Sequence, residues 1–211
     1  MNKQKPLDGV LVASDVDGVI TREDTLFSFF NKYGKLEKAR ALNERLPGAD
    51  IAQILSEIAR ENEITKEELA LEGNEARLFR GAKRFYSKLE KLGAQVCLLT
   101  ATYEPIAEGI AARLELKKPA IMASRVRIAG GKVKGVGNRV MEGVQKKRAL
   151  RRLCRRFGIP LSKVVGIGDS PGDREFMDEI AQGGGLCIWM TRPGFPKIER
   201  EIMKWFGGET A

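Results

Sequence analysis

Histidine is absent from this sequence of 211 residues. Its absence excludes Ser-His-Asp and Cys-His triads, histidine general bases and most zinc sites. Chemistry here must run on carboxylates, lysines, hydroxyls or a hard metal ion. Cysteine is scarce as well. Cys97, Cys154 and Cys187 are widely spaced and form no CxxC pair, so they read as reduced packing residues. No apolar run approaches bilayer-spanning length, and Met1 to Pro6 leads into no signal-type segment. A cytoplasmic protein without membrane contact is the expectation.

What is present describes a soluble globular chain: 43% hydrophobic and 31% charged residues, enough for one core or one core plus a small insert. The net charge of +9 is unevenly spread, with nine Lys/Arg against twelve Asp/Glu in residues 21–79 and 28 against 16 in the remainder. A basic body attracts anions in general, whether a phosphate ester, a nucleic acid or an acidic surface. Aromatic residues are only 7%, and none interleaves with the arginines of 143–157 as a base-stacking surface requires, so nucleic acid is disfavoured as a partner.

Short apolar runs bounded by turn residues alternate with amphipathic stretches, the pattern of a parallel α/β sheet. Strands are predicted at Val10–Ser14, Gln95–Leu99, Lys163–Ile167 and Leu186–Trp189. Helices are predicted at Ala82–Leu92, Glu104–Leu114, Gly143–Phe157, Asp173–Ala181 and Phe195–Phe206. Two segments break the alternation. Residues 21–79 read as helices only, with Ile51, Ile54, Leu55 and Ile58 at helical spacing and a capping box at Thr65-Lys66-Glu67-Glu68. Residues 121–136 read as a hairpin turning at Ala129-Gly130-Gly131. The expected architecture is a Rossmann-like parallel core of residues 1–20 and 80–211, with an all-helical insert of 21–79 after its first strand.

Ligands of open α/β sheets bind beyond the carboxyl ends of the strands. Three predicted strands end there on polar groups, so distant residues become one candidate site. In Asp15-Val16-Asp17-Gly18-Val19, Asp15 can attack phosphorus to form an aspartyl-phosphate. Asp17 can protonate the leaving oxygen and later deprotonate water. Gly18 lets the backbone turn so that peptide N–H groups face a phosphate. The competing reading is an acidic surface turn. The Thr100 hydroxyl and the backbone around Ala101 can hold a phosphoryl oxygen, although Thr100 also suits a helix cap.

Lys146 lies four residues before Leu150, on the apolar stripe of Leu150, Leu153, Cys154 and Phe157, while Arg148, Arg151, Arg152 and Arg155 point away. An ammonium on a core face needs partners, which carboxylates and a phosphate would supply; a snorkelling lysine is the alternative. Finally, Gly168-Asp169-Ser170-Pro171-Gly172-Asp173 sits at a strand end and opens a helix. Carboxylates from two strand ends make an oxygen-rich site suited to Mg²⁺, with Asp173 orienting the lysine or a metal-bound water. Two N-cap residues on a turn are the competing reading.

Together these pieces resemble the haloacid dehalogenase superfamily: D-x-D-x-[TV] after the first strand, Ser/Thr after the second, Lys, then G-D-x-x-x-D. Here they appear as Asp15/Asp17/Val19, Thr100, Lys146 and Asp169/Asp173. The resemblance implies a nucleophile at Asp15 and a general acid/base at Asp17, with phosphate held by Thr100 and Lys146. It also implies Mg²⁺ on the Asp15 and Asp169 carboxylates and the Asp17 carbonyl. The second aspartate argues against dehalogenation.

The insert and hairpin look like those of phosphoserine phosphatases, whose helical cap sits in the same place. Two departures stand out. That group usually carries Ser-Gly-Gly where this chain has Thr100-Ala101-Thr102. Its acidic cap residue is matched by Glu23 or Asp24, whereas its carboxylate-binding arginine aligns near Ile58, with Arg60 only nearby. The expected activity is hydrolysis of a small phosphorylated metabolite, phosphoserine being one candidate. Transfer to an acceptor alcohol and a basic nucleic-acid-binding module are the alternatives.

Overall fold

The computed structural model describes residues 5–45, 51–137, 140–191 and 194–206, without the side chains of 44, 45 and 51–53. Its strands are β1 (Leu11–Ser14), β2 (Gln95–Tyr103), β3 (Ala120–Ser124), β4 (Val126–Ala129), β5 (Lys132–Val136), β6 (Val164–Gly168) and β7 (Leu186–Trp189). The helices are α1 (Thr25–Lys32), α2 (Leu36–Arg45), α3 (Ile51–Asn62), α4 (Lys66–Glu75), α5 (Ala82–Lys91), α6 (Glu104–Arg113), α7 (Val144–Phe157), α8 (Arg174–Gln182) and α9 (Phe195–Phe206).

Five parallel strands form the main sheet in the order β3-β2-β1-β6-β7, so the α/β expectation holds. Strict alternation along the strands builds two cores. Val10, Val12, Val96, Leu98, Val165 and Ile167 face one way, into a cluster with Phe85, Tyr86 and Ile198 of α5 and α9. Leu11, Ala13, Cys97, Leu99 and Val164 face the other way, onto Leu150 and Leu153 of α7 and Phe176 and Ile180 of α8. Continuing the odd series of β1 one step beyond Ala13 points Asp15 at α7. That is why a lysine on α7's apolar stripe can meet it.

The segment read as one hairpin is two things. Ala120–Ser124 is a fifth parallel strand, paired with β2, and only Val126–Val136 folds back antiparallel as β4–β5. Strand β3 (AIMAS) has a single β-branched residue, Ile121, and its apolar residues merge with those of the hairpin. Strand β2 runs four residues beyond the predicted end, and its pairing with β3 shifts register between Leu99 and Tyr103.

Residues after β1 form four helices, and the chain leaves and re-enters the sheet side by side. Arg22 N–H donates to the Arg77 carbonyl at 2.8 Å and Phe79 N–H to the Ile20 carbonyl at 2.9 Å. The capping box of α4 is present, with Glu68 N–H on Thr65 Oγ1 at 3.2 Å and Thr65 N–H on Glu68 Oε2 at 2.7 Å. Ile54, Leu55 and Ile58 are fully buried, while the Ile51 side chain lies outside the described residues. Hairpin strand β5 joins this helical group through Val133 N–H on the Ile64 carbonyl at 2.7 Å.

Helices α4 and α6 cross at a contact that only glycine allows. A Cβ on Gly109 would meet the Ala70 carbonyl oxygen at 2.2 Å, and one on Gly73 the Ile106 carbonyl oxygen at 2.0 Å. Alanine would raise helix propensity by about 1 kcal/mol, but backbone carbonyls cannot yield without separating the helices, at a cost of about 1–3 kcal/mol. Gly109→Ala is therefore expected to lower the melting temperature by up to about 8 °C. A rise in melting temperature by circular dichroism would contradict this packing.

Candidate active site

Strand register collects the polar strand ends. Ser14 of central β1 pairs with Leu98 of β2 and Ile167 of β6, which sets Asp15 between Thr100 and Asp169. Asp15 N–H donates to the Ile167 carbonyl at 2.9 Å, tying the loop to the sheet. A cavity of about 620 Å³ opens above these ends and is lined by Asp15, Asp17, Gly18, Thr100, Ala101, Lys146 and Asp169, among others. All of these come from the sequence reading.

Lys146 is 2% exposed. Its Nζ lies 3.0 Å from Asp15 Oδ1 and 2.6 Å from Asp173 Oδ1. The other oxygen of the buried Asp173 accepts from Asp169 N–H, Ser170 N–H and Ser170 Oγ–H at 3.1–3.2 Å, so this side chain both holds the lysine and shapes the loop. The loop is further fastened to the start of α7 by Gly143 N–H on the Gly172 carbonyl. Thus Asp173 is no mere cap, and Lys146 does not snorkel.

Burial pushes the Asp15 carboxyl up to about 7, with Asp173 adding to the rise and Lys146 opposing it. Burial likewise lowers the Lys146 ammonium, but Asp15 and Asp173 outweigh it and the net shift is upward. Asp17 is raised well above the carboxylate range by burial, then by Asp24 and Asp15. Its Oδ1 accepts from Thr21 Oγ1 at 2.9 Å and Thr25 N–H at 3.1 Å, and its Oδ2 from Thr25 Oγ1 at 3.2 Å. Thr25 Oγ1 in turn lies 2.9 Å from Thr102 Oγ1. Thr21 and Thr25 were missed in the sequence. Their signal was faint: hydroxyl residues four and eight positions after Asp17.

The carboxylate oxygens of Asp15, Asp169 and Asp173 lie within 4.8 Å of one another. The donor set is all hard oxygen, and Asp169 is raised by burial and by Asp173, with Lys146 offsetting only part of the rise. A Cβ on Gly18 would stand 1.9 Å from Asp169 Oδ2, so the glycine gives that carboxylate room beside the first loop. The residues fit a hard divalent cation such as Mg²⁺. The geometric group includes Asp173, whose oxygens are already engaged. The Asp17 carboxylate points instead into the threonine network.

Thr100 is buried in the extension of β2 and is not a helix cap; its Oγ1 accepts from Thr102 N–H at 3.2 Å. Tyr103 occupies the cap position of α6, without a side-chain cap bond. Ser124 Oγ donates to the Ala101 carbonyl at 2.6 Å and accepts from Met141 N–H at 2.9 Å, bracing the loop from β3.

The three residues expected to choose the substrate diverge. Asp24 lines the cavity and caps α1, its Oδ1 accepting from Leu26 and Phe27 N–H at 3.0 Å. Glu23 also lines it, with Oε1 taking Arg77 N–H at 3.3 Å. Arg60 is exposed near the end of α3 and is not among the cavity residues. The helix phase that buries Ile58 turns Arg60 to solvent.

A family model for haloacid dehalogenase-like hydrolases matches residues 12–178. The chain belongs to that family, and within it is a phosphatase-type enzyme resembling phosphoserine phosphatases. It is 27% identical over 183 residues to a phosphoserine phosphatase of Halobacterium salinarum, covering 83% of this chain and 85% of that protein. With a phosphoserine phosphatase of Streptomyces coelicolor it shares 29% identity over 110 residues, 52% of this chain but only 26% of that longer protein. A solved structure of a hydrolase of this family from Salmonella enterica serovar Typhi superimposes with a TM-score of 0.75. It covers 97% of this chain and 72% of its own at 15% identity, which is a likeness of fold. No described helix is long and apolar enough to cross a membrane.

The raised Asp15 has a consequence for the metal-free protein. The folded state keeps a proton on Asp15 up to about pH 7, whereas the unfolded chain releases it near 3.8. Stability from that proton is present below about pH 3.8 and is lost as the pH rises through 7. In EDTA, the melting temperature of the wild type minus that of Asp15→Asn is expected to fall between pH 4 and 7.5. A difference independent of pH would contradict the assignment.

Proposed function

We propose that this chain is a Mg²⁺-dependent phosphohydrolase that cleaves small phosphate monoesters through an aspartyl-phosphate on Asp15. The observation that carries the reading is the pairing of two unlike carboxyls at one strand end. Asp15 faces a lysine, and Asp17, two residues on, is held by hydroxyls where burial favours its protonated form. Environments that push two acids into different roles are the signature of nucleophile and general acid.

A bond forms between an Asp15 carboxylate oxygen and phosphorus as the ester P–O bond breaks, and Asp17 delivers its proton to the departing alkoxide. Asp17 then takes a proton from water, whose oxygen displaces Asp15 from phosphorus and returns it as a carboxylate. The Thr100 hydroxyl, the backbone around Gly18 and Ala101, and Lys146 bind the phosphoryl oxygens. Asp15, Asp169 and the Asp17 carbonyl are the metal ligands carried over from the family pattern, with Asp173 keeping Lys146 in place. Bound Mg²⁺ supplies the positive charge that lets a phosphate dianion approach this acidic cluster.

Helices α1–α4, within residues 21–79, serve as a cap on the core of 1–20 and 80–211, and the side-by-side exit and return of the chain support that division. Closure over the substrate would exclude water other than the attacking one. Both named relatives are phosphoserine phosphatases, so phosphoserine is a candidate. Asp24 would take its ammonium group. Arg60 is not placed to take its carboxylate, and Arg22 is the only described arginine on the cavity. A phosphorylated metabolite of small size is the partner; the cytoplasm is its proposed location.

Release of phosphate from p-nitrophenyl phosphate should need Mg²⁺ and stop with EDTA. Asp15→Asn should reduce turnover by about 10³-fold or more while leaving the circular dichroism spectrum unchanged. Wild-type activity in that folded variant would sink the mechanism.

A further inference from the structure

Tyr103 is buried, 2% exposed, yet its hydroxyl has no hydrogen-bond partner. Among the described residues it is the only buried side-chain polar atom so placed. Leaving a buried hydroxyl unpaired costs about 1–3 kcal/mol, so native structures rarely tolerate one without cause. The position supplies a cause. Tyr103 and Asp24 both line the active-site cavity. The register shift between Leu99 and Tyr103 marks a local irregularity of β2, the kind of feature that re-aims a side chain beside a site. The ring is steadied by the edge of Phe30, 6.5 Å between centroids.

The Asp24 carboxylate is half committed. Oδ1 accepts both helix N–H groups, while Oδ2 has no hydrogen bond to a described residue. A carboxylate oxygen with no described partner and an unpaired phenol, on two residues of one cavity lining, suit a small group that donates to the carboxylate and pairs with the phenol. A hydroxyl or an ammonium does both. The apolar side chains of Leu26 and Phe27 line the same cavity and suit a short carbon skeleton.

We propose that the Tyr103 hydroxyl, with Asp24 Oδ2, reads a hydroxyl or ammonium group next to the ester carbon of the leaving alcohol. The preferred substrates are then phosphate monoesters of short diols or amino alcohols, with no requirement for a carboxylate. This inference rests on the phosphatase reading and deepens it.

Three near-isosteric esters test it: 2-aminoethyl, 2-hydroxyethyl and propyl phosphate, which differ only in the terminal group. The wild type should prefer the better of the two polar esters over propyl phosphate in kcat/KM. In Tyr103→Phe that ratio should fall by about 5- to 50-fold, because only the polar ester loses a partner. The ligand-free variant should melt at or above the wild-type temperature, since the change removes an unpaired hydroxyl and no bond. A ratio unchanged by Tyr103→Phe overturns the assignment of Tyr103 and leaves the phosphatase reading standing. A wild type that prefers propyl phosphate likewise overturns it. Absence of wild-type turnover of all three esters and of p-nitrophenyl phosphate, with Mg²⁺ present, overturns both. A variant that melts several degrees lower with an unchanged ratio identifies Tyr103 as structural.

Discussion

A single buried ammonium sets the terms on which this site exists. Asp15 and Asp173 both approach Lys146 Nζ in an environment from which water is largely removed, with Asp17 and Asp169 close by. Carboxylates gathered this way repel one another and resist ionisation, as the upward shifts of Asp15, Asp17 and Asp169 show. Lys146 compensates part of that charge, and taking away one partner of such a buried pair typically costs about 3–5 kcal/mol. The remaining unbalanced charge is what fits the cluster to a hard divalent cation.

Backbone economy makes the gathering possible. Gly18 leaves space for the Asp169 carboxylate, and a Cβ on Gly168 would stand 2.7 Å from that of Asp173. A side chain at position 18 would part the loops after β1 and β6, and one at 168 would push Asp173 away from its own strand end. The threonines around Asp17 do the complementary task. They hold that carboxyl off the cluster, in a pocket of hydroxyls where burial favours its protonated form. Two aspartates only two residues apart thereby have different partners, a lysine for Asp15 and hydroxyls for Asp17.

Much of this was legible in the residue order. Asp15, Asp17, Thr100, Lys146, Asp169 and Asp173 follow strand ends or a helix phase, and both periodicities can be read from one-dimensional patterns. Lys146 is the clearest instance, since its place on the stripe of Leu150 and Leu153 points to buried partners or a snorkelling side chain, and the structure shows the partners. Arg60 was harder. Sequence proximity put it beside Ile58, but one residue of helix rotates by 100° and two residues exchange a buried face for solvent. Strand β3 was folded into the hairpin because a short, weakly β-branched edge strand has little to set it apart from the apolar residues that follow.

The sequence by itself determined the chemistry available: carboxylates, one core-facing lysine and hydroxyls at strand ends, with histidine and paired cysteines excluded. It also determined the alternation of strand and helix that brings those ends to one edge. Only the tertiary structure decided which oxygens meet. The partnership of Asp17 with Thr21 and Thr25, the contact of Lys146 with both Asp15 and Asp173, and the unpaired Tyr103 hydroxyl depend on loops and on packing between distant segments. Local propensity carries no information about those distances, because they are set by how helices and strands close-pack after the chain has already chosen its elements.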